Sequence, residues 1–288
     1  MSKKRFLKIY VEITNICNLN CSFCSKAKRE KKYMKMQEFE EICKQVCEYT
    51  NVIALHVQGE PLLHPELEKI LEICEKYHLR VNITTNATLI DKQINIILKT
   101  KSIRQINFSL HAAEQNGLNK EKYLEQVLNA ADEIHNKTDI IISYRLWNLK
   151  NIKNNSVNTE LLKILGKHYK IENIVELAKK NEFLECEKNI FLNQDLEFEW
   201  PNIEREKISD CGKCYGLRNQ IAILVNGDVV PCCLDSEGNI LLGNIFRNSL
   251  EEIINTSRSK AIINGFQKGK LIEELCQKCG YIKKFNNI

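Results

Sequence analysis

Apolar residues along this chain recur in two alternating patterns, one typical of buried strands and the other of helices. Short apolar runs rich in β-branched residues predict strands at residues 7–14, 52–57, 80–85, 103–110, 139–147 and 171–177. Between these runs, apolar residues recur every three or four positions, as on one face of a helix, at residues 36–46, 67–77, 89–98, 120–135 and 158–167. The alternation predicts an α/β protein built from parallel βαβ units with right-handed crossovers.

The composition of the 288 residues is that of an ordinary globular protein. The net charge is +5, from 42 Lys and Arg and 37 Asp and Glu, and the basic residues are scattered. We therefore expect no nucleic-acid partner. The basic start, residues 1–5, has no apolar segment behind it, and no run approaches the roughly 18 apolar residues of a membrane span. The expectation is a cytoplasmic protein with no membrane partner.

Thirteen cysteines, many of them clustered, change this picture. A reducing cytoplasm disfavours disulfides, so clustered thiols indicate metal binding. Cys17, Cys21 and Cys24 follow the first predicted strand with the spacing C-x3-C-x2-C. Three thiolates on one loop can hold three irons of a cubane [4Fe-4S] cluster and leave the fourth iron open to an outside ligand. An open metal position is typical of catalytic sites.

This spacing, with Phe23 just before the last cysteine, resembles the signature of the radical S-adenosylmethionine (SAM) enzymes. The resemblance implies a partial (β/α)6 TIM barrel whose active site lies at the carboxyl ends of the strands. It also implies that the open iron binds the methionine part of SAM and supplies the electron that splits SAM into methionine and a 5′-deoxyadenosyl radical. Phe23 would then pack beside the adenine or the cluster.

Loops after the predicted strands carry further similarities to this family. Gln58-Gly59-Glu60-Pro61 resembles the "GGEP" motif that meets the amino group of SAM, with Gln58 in place of the first glycine. Asn86 lies in a segment similar to the "TNGT" segment, in which Ala87 replaces glycine. Ser109 has the position of a ribose-binding hydroxyl, and Arg145 that of an arginine near the SAM carboxylate. Without the cysteine loop, Gln58-Gly59-Glu60-Pro61 would be an ordinary turn, and Ser109 could be a strand-end hydroxyl bound to the backbone.

A second group of cysteines surrounds a predicted β-hairpin at residues 220–232, whose Asn-Gly turn is a strong hairpin signal. A capping box of Ser249 and Glu252 predicts a helix beyond it. This order resembles the SPASM and shorter Twitch extensions of radical SAM enzymes, which hold auxiliary [4Fe-4S] clusters. The resemblance implies one auxiliary cluster on four cysteines with 17, 43 and two residues between them, close to the Twitch pattern of an aminocyclitol dehydrogenase: Cys214, Cys232, Cys276 and Cys279.

Other arrangements of these cysteines stay open. Cys211 or Cys233 could replace its neighbour or ligate a further iron. A zinc ribbon would instead use Cys211, Cys214, Cys276 and Cys279. Cys43, Cys47 and Cys74 lie at apolar helical positions, which favours a role in the core. We expect a radical SAM core at residues 1–205 and an auxiliary iron–sulfur domain at residues 206–288.

The resulting hypothesis is a radical SAM enzyme that removes a hydrogen atom from its substrate and passes a second electron to the auxiliary cluster. It would act as a dehydrogenase on a small molecule, with a flavodoxin or ferredoxin as electron donor. Candidates for the catalytic base are His111, Glu185 and Asp210. The alternatives are a peptide-modifying radical SAM enzyme and, from another class, a non-catalytic iron–sulfur electron carrier or redox sensor.

Overall fold

The computed structural model describes residues 4–25, 28–115, 117–150, 158–197 and 199–286. Its strands are β1 Lys8–Val11, β2 Val52–Ala54, β3 Arg80–Thr85, β4 Ile103–Ser109, β5 Ile141–Leu149, β6 Phe183–Glu187, β7 Ile190–Leu196, β8 Gln220–Ile223, β9 Asp228–Val230 and β10 Gly243–Asn244. The α-helices before β6 are α1 Met36–Val46, α2 Leu67–Lys76, α3 Ile90–Lys99, α4 Ala112–Gln115, α5 Lys120–Lys137, α6 Thr159–His168 and α7 Ile174–Lys180. Those after β10 are α8 Leu250–Asn255, α9 Ser257–Gln267, α10 Glu274–Gln277 and α11 Lys283–Asn286, and short 3₁₀ helices lie at Pro61–Leu63 and Gly280–Ile282.

The chain divides into two compact units that are discontinuous in sequence. The first unit contains residues 1–18, 24–81 and 199–288, and the second contains residues 19–23 and 82–198. Strand β3 crosses the boundary between them.

In the first unit the strand order is β10-β9-β8-β1-β2. Strand β1 pairs in parallel with β2 on one side and with β8 on the other. Strands β8 and β9 form the predicted hairpin, in which Gly227 turns the chain at φ +86°. The capping box is confirmed, because Ser249 accepts from Glu252 N–H and the Glu252 carboxylate accepts from Ser249 N–H. A C-terminal strand thus lies next to the first strand of the chain.

The second unit has the strand order β4-β5-β7-β6. Strands β4, β5 and β7 are parallel, and β6 is antiparallel to β7. Helix α3 packs against α5, and α6 packs against α7. Strand β6 is an edge strand, with a neighbour on one side only. The sequence pattern predicts this mixed α/β architecture with parallel strands.

The strand predicted at residues 171–177 is wrong. The chain makes a turn there, with Asn173 at φ +59°, and then forms helix α7. The buried residues Ile174 and Ala178 are four positions apart, which is the spacing of one helical face. Periodicity cannot separate a short buried strand from a short helix. The next parallel strand is β7, reached through a β6–β7 hairpin that the sequence pattern did not reveal.

The core of the first unit combines residues from both ends of the chain. Tyr10, Ala54 and Val57 pack with Ala222, Leu224 and Val230. These side chains are at most 8% exposed, so residues 199–288 contribute to the same core as β1 and β2. In the part of the chain that the structure covers, no helix combines the length and the apolar composition needed to cross a membrane.

Candidate functional site

The loop between β1 and α1 carries Cys17, Cys21 and Cys24. Cys17 and Cys24 are exposed and Cys21 is half-buried. The buried side chains of Thr14 and Asn15 close the base of this loop. Thr14 Oγ1 donates to the carbonyl of Lys32 at 3.0 Å, and Asn15 Oδ1 accepts from the N–H of Lys32 at 2.8 Å. The base of the loop is therefore fixed, whereas two of its thiols face solvent.

The Gln58–Pro61 segment docks against the start of the cysteine loop. Gly59 has φ +76°, and a Cβ added there would meet the carbonyl oxygens of Thr14 and Ile16 at 2.4 and 2.9 Å. Only glycine fits such a close backbone approach. The N–H of Glu60 donates to the carbonyl of Ile16 at 2.9 Å. The buried Glu60 carboxylate accepts from Leu62 N–H at 3.0 Å, which orients it before Pro61 starts the 3₁₀ helix.

Glu12 connects several parts of the first unit and was missed by the sequence reasoning. It is fully buried and directly follows the apolar strand β1. Its Oε1 accepts from Arg29 Nη2 at 2.8 Å and from Gln58 N–H at 3.1 Å, and its Oε2 accepts from Val225 N–H at 2.9 Å. The available signal was a single carboxylate inside an apolar run, because a buried charge needs partners to offset its desolvation.

In the second unit, His111 follows β4 and contacts the cysteine loop. The rings of His111 and Phe23 are 4.6 Å apart between centroids. The Nδ1 of His111 lies 3.0 Å from the carbonyl of Arg145, which can only accept, so in the neutral ring Nδ1 donates and Nε2 carries no proton. The N–H of Trp147 approaches the same Nδ1 at 3.4 Å and is the weaker contact. Burial lowers the pKa of His111 from 6.5 to about 4.

Arg145 is held in place by neighbours in the second unit. Its Nη1 donates to Thr84 Oγ1 at 3.3 Å, and its guanidinium lies 4.5 Å from the centroid of the Trp147 ring. The indole N–H of Trp147 donates to Asn193 Oδ1 at 2.6 Å. Ser109, the last residue of β4, lies opposite Arg145 on β5. The sequence singled out Arg145 and Ser109, whereas Trp147 and Asn193 carry no motif.

Asn86 organises its own turn. Its Oδ1 accepts from Thr88 N–H at 3.0 Å and from Thr88 Oγ1 at 2.7 Å. Its carbonyl accepts from the hydroxyl of Tyr123 at 2.9 Å. Ala87, at the position where the similar family segment has glycine, adopts φ +62°. A left-handed backbone costs an L-residue about 1–2 kcal/mol, which explains why glycine suits this position.

In the first unit, C-terminal thiols lie within electrostatic range of one another. Burial raises the pKa of Cys232 well above its ordinary value, and the neighbouring Cys233, Cys214, Cys276 and Cys279 raise it further. Burial followed by Cys214 and Cys279 likewise raises the pKa of Cys276. Burial also raises the pKa of Cys279 to about 11. The four thiols expected to hold the auxiliary cluster thus influence one another electrostatically in the first unit.

The donor type of these thiols is the one that iron–sulfur clusters require. Several thiolates packed together repel each other unless a cation neutralises them, and iron supplies that charge. Within the described residues, no group of three or more His, Cys, Asp or Glu side chains is arranged to hold a metal ion.

The remaining cysteines separate into core and surface positions. Cys233 packs against the core of the first unit. Burial raises the pKa of its thiol, and a hydrogen bond with the Tyr10 hydroxyl partly offsets this. Cys211 is exposed, and its backbone bridges to Lys270. Cys43 and Cys74 are fully buried on α1 and α2, and Cys47 is half-buried at the end of α1. Among the candidate bases, Asp210 pairs with Lys207 and Glu185 is exposed on β6.

Two family models match this chain. The model described as the radical SAM superfamily matches residues 11–178. The model described as an iron–sulfur cluster-binding domain, SPASM, matches residues 211–280. The first match contains the N-terminal cysteine loop and covers more than half of the chain. The second contains all the cysteines singled out in the C-terminal region.

Curated relatives are more distant. A probable GTP 3′,8-cyclase of Methanococcus vannielii is 25% identical over 291 residues, which cover 88% of this chain and 93% of the relative. The matches to the first curated relatives reach only between 35% and 47% of the relatives' own length.

Solved structures share the fold at low identity. The crystal structure of BtrN in complex with AdoMet and 2-DOIA aligns with a TM-score of 0.60 and 20% identity, over 97% of this chain and 94% of BtrN. Streptococcus suis SuiB bound to the precursor peptide SuiA aligns with a TM-score of 0.62 and 18% identity, over 97% of this chain and 71% of SuiB. The partial-barrel fold that the sequence predicts is shared with these proteins.

Proposed function

The chain belongs to the radical SAM superfamily, and from this premise we propose that it is an oxidoreductase that removes two electrons from a small organic substrate. The family and its SPASM domain imply SAM, a SAM-binding [4Fe-4S] cluster and an auxiliary cluster. When bound, these groups supply the electron that cleaves SAM, a 5′-deoxyadenosyl radical that takes a hydrogen atom from the substrate, and an acceptor for the second electron.

The match of residues 211–280 to the cluster-binding model carries this proposal, because it contains Cys214, Cys232, Cys276 and Cys279. Four thiol ligands would occupy all four irons of an auxiliary cubane and leave none open to substrate. A closed site suits electron transfer better than substrate activation. The proposed count is therefore one auxiliary cluster of the Twitch type, with Cys211 and Cys233 outside its ligand set.

We propose Cys17, Cys21 and Cys24 as the ligands of the SAM-binding cluster and the Gln58–Pro61 segment as the part that meets the amino group of SAM. The buried Glu60 carboxylate suits an ammonium group, and its orientation is already fixed by Leu62. Phe23, Asn86, Ser109 and Arg145 are proposed to bind SAM by the resemblance of their segments to the family. Arg145 suits a carboxylate because its guanidinium can form two parallel hydrogen bonds.

Of the three candidate bases, His111 has the strongest support. It alone has a described contact with a residue of the cysteine loop, Phe23. Its Nδ1 donates to the Arg145 carbonyl, so Nε2 can accept a proton from the oxidised substrate. Asp210 and Glu185 are exposed and make no described contact with that loop.

Two other reactions have specific support. SuiB, whose fold is shared over 97% of this chain, was solved with a precursor peptide, which favours a peptide substrate. The relative from Methanococcus vannielii is described as a probable GTP 3′,8-cyclase, which favours GTP. A non-catalytic electron carrier would share the cysteines but would not cleave SAM.

Anaerobic reconstitution followed by dithionite and SAM tests the proposal. We expect about eight irons per chain, as two cubane clusters require, together with 5′-deoxyadenosine. A panel of amino sugars and cyclitols, short peptides and GTP then separates the reactions by product mass. Loss of two hydrogens from a small alcohol or amine supports the proposal. Conversion of GTP or of a peptide, or no 5′-deoxyadenosine from a fully loaded protein, contradicts it.

Matched cysteine variants test the ligand assignment. Cys214→Ala should lower the iron content from about eight to about four per chain, since one cubane is lost. Cys211→Ala, three residues away and exposed, should keep about eight. The reverse pattern would assign Cys211 to the cluster and would favour a ribbon-like ligand set.

A further inference from the structure

We propose that Ser236 is a positioning residue for SAM binding, because a polar network ties its segment to the end of the cysteine loop. The polar network consists of Glu12, Ser25, Arg29, Gln58 and Ser236, all in the first unit. The inference rests on the proposed function for the assignment of the two cysteine groups. It adds a residue that belongs to neither the SAM motifs nor the cluster ligands.

The contacts run continuously from one cysteine segment to the other. The hydroxyls of Ser25 and Ser236 are 2.8 Å apart. Arg29 Nε donates to the carbonyl of Ser236 at 2.7 Å, and Arg29 Nη2 donates to Glu12 at 2.8 Å. The side-chain amide of Gln58 donates to the carbonyl and the hydroxyl of Ser25. Ser25 directly follows Cys24, and Ser236 lies three residues after Cys233.

Burial gives these contacts weight. Glu12, Ser236 and Gln58 are 0%, 4% and 6% exposed, and the Arg29 side chain is 13% exposed. Inside a protein, water cannot easily replace a lost partner, so removing one group leaves another unsatisfied. The network therefore restrains the Cys24 end of the loop more strongly than exposed hydrogen bonds would.

The segment that carries Ser236 is held by hydrogen bonds of the buried Asp235. Asp235 is 1% exposed, and its carboxylate accepts from the N–H groups of Asn239 and Ile240 at 2.8 and 2.7 Å. Its own N–H donates to the carbonyl of Cys232 at 3.3 Å. Ser236 is thus held in the segment that follows Cys232, one of the proposed auxiliary ligands.

The contact of the Gln58 side chain with Ser25 explains why this chain departs from the "GGEP" pattern. A glycine at this position could supply the backbone N–H that Glu12 accepts, but it could not supply the amide that reaches Ser25. The side chain of Gln58 thus connects the segment proposed to bind SAM with the end of the cysteine loop. Ser236 completes that connection on the auxiliary side.

The test measures SAM affinity in the reconstituted holoprotein. Glu12 and Arg29 are unsuitable targets, because breaking a buried ion pair strongly destabilises a fold. Ser236→Ala should raise the Kd for SAM about three- to tenfold, as expected for one buried hydrogen bond. Iron per chain should not change, and the SAM-induced change in the EPR spectrum of the dithionite-reduced protein should be diminished at the SAM concentration that saturates the wild type. Ser257→Ala, an exposed serine of the same unit, is the control and should match the wild type.

A double-variant cycle checks that the network is the cause. In a Gln58→Ala background, adding Ser236→Ala should change the Kd by less than about twofold, because residues that act through one network are not additive. The inference would be overturned if the two substitutions together raised the Kd by the product of their separate effects. A Ser236→Ala protein with the wild-type Kd would overturn it as well. Loss of iron in Ser236→Ala would overturn it too, by showing a role in cluster assembly. A wild-type protein that binds no SAM would overturn the proposed function itself and the inference with it.

Discussion

Single buried residues determine the charge pattern around the candidate site. Glu12 is fully buried and ion-paired, and the C-terminal thiols have raised pKa values because burial and their neighbours disfavour the thiolates. His111 is the opposite case, a buried base whose pKa falls because burial disfavours the imidazolium. These residues act through their surroundings, so their chemistry depends on neighbours distant in sequence.

Protonation of His111 should make the stability of the protein depend on pH. The unfolded chain binds a proton near pH 6.5, whereas folded His111 does so only near pH 4. The unfolded state therefore binds more protons in this interval, and the free energy of unfolding falls as the pH falls. Between pH 7.5 and 5 the wild type should lose about 2 kcal/mol more than His111→Gln, measured by denaturant unfolding of the anaerobic protein.

The control for this measurement is His78→Asn. His78 is exposed and has φ +53°, a conformation that asparagine tolerates. The free energy of unfolding of His78→Asn should change with pH as that of the wild type does. Equal losses of stability in the wild type and in His111→Gln would mean that His111 titrates normally in the folded protein.

At the scale of elements, the cysteine loop is shaped by segments that touch its base. Thr14 and Asn15 close the base, and Gly59 brings the Gln58–Pro61 segment against the same backbone. The resemblance marks this glycine as part of a segment that meets SAM. The structure shows that it also allows close approach to the chain itself, which connects the motif to the cysteines.

Gly59→Ala should disrupt this junction. The new Cβ would meet backbone oxygens of Thr14 and Ile16, which cannot rotate away as a side chain could. Gly269→Ala is the matched control, since Gly269 also has a positive φ but has nothing within 4 Å of an added Cβ. Both variants incur the cost of the left-handed backbone, and the overpacking should lower the free energy of unfolding of Gly59→Ala by about 1–3 kcal/mol more.

Denaturant unfolding of the two variants side by side gives this difference. The Kd for SAM should rise in Gly59→Ala and remain unchanged in Gly269→Ala. Equal losses of stability in the two glycine variants would contradict this prediction. They would mean that the Gln58–Pro61 segment can shift away from Thr14 and Ile16 without a loss of free energy.

For the whole molecule, the main feature is that residues 199–288 belong to the same compact unit as β1 and β2. Strand β8 pairs with β1, and Ala222, Leu224 and Val230 share a core with residues near the N-terminus. The sequence-based division into residues 1–205 and 206–288 stays a prediction. The packing of the first unit indicates that residues 1–205 need residues 206–288 for their core.

A fragment of residues 1–205 should fail to fold independently. Without β8, one edge of β1 would have no partner strand. The side chains of Tyr10, Ala54 and Val57 would also lose their apolar cover, and both changes favour aggregation. We expect the fragment to precipitate or to bind a hydrophobic dye and to show no cooperative unfolding. The control is the full-length chain with Cys276→Ala, which lacks a proposed cluster ligand but keeps the core. A monomeric, cooperatively unfolding fragment that binds SAM would contradict this expectation and would support the division at residue 205.

The sequence by itself determined the features that depend on local spacing. The C-x3-C-x2-C loop identified the family, alternating apolar runs predicted most strands and helices, and Asn226-Gly227 predicted the hairpin. Loop motifs also marked Glu60, Ser109 and Arg145 as candidates. These signals are readable because residues close in sequence determine turns, periodicity and ligand spacing.

Only the tertiary structure decided which distant segments meet. It placed β8 beside β1, made residues 174–180 a helix, and connected Ser25 with Ser236 across 211 positions of sequence. It also showed Glu12, Trp147 and Asn193 as partners within their units. Local patterns cannot specify these pairings, because burial and hydrogen bonding between distant segments are determined only when the whole core is packed.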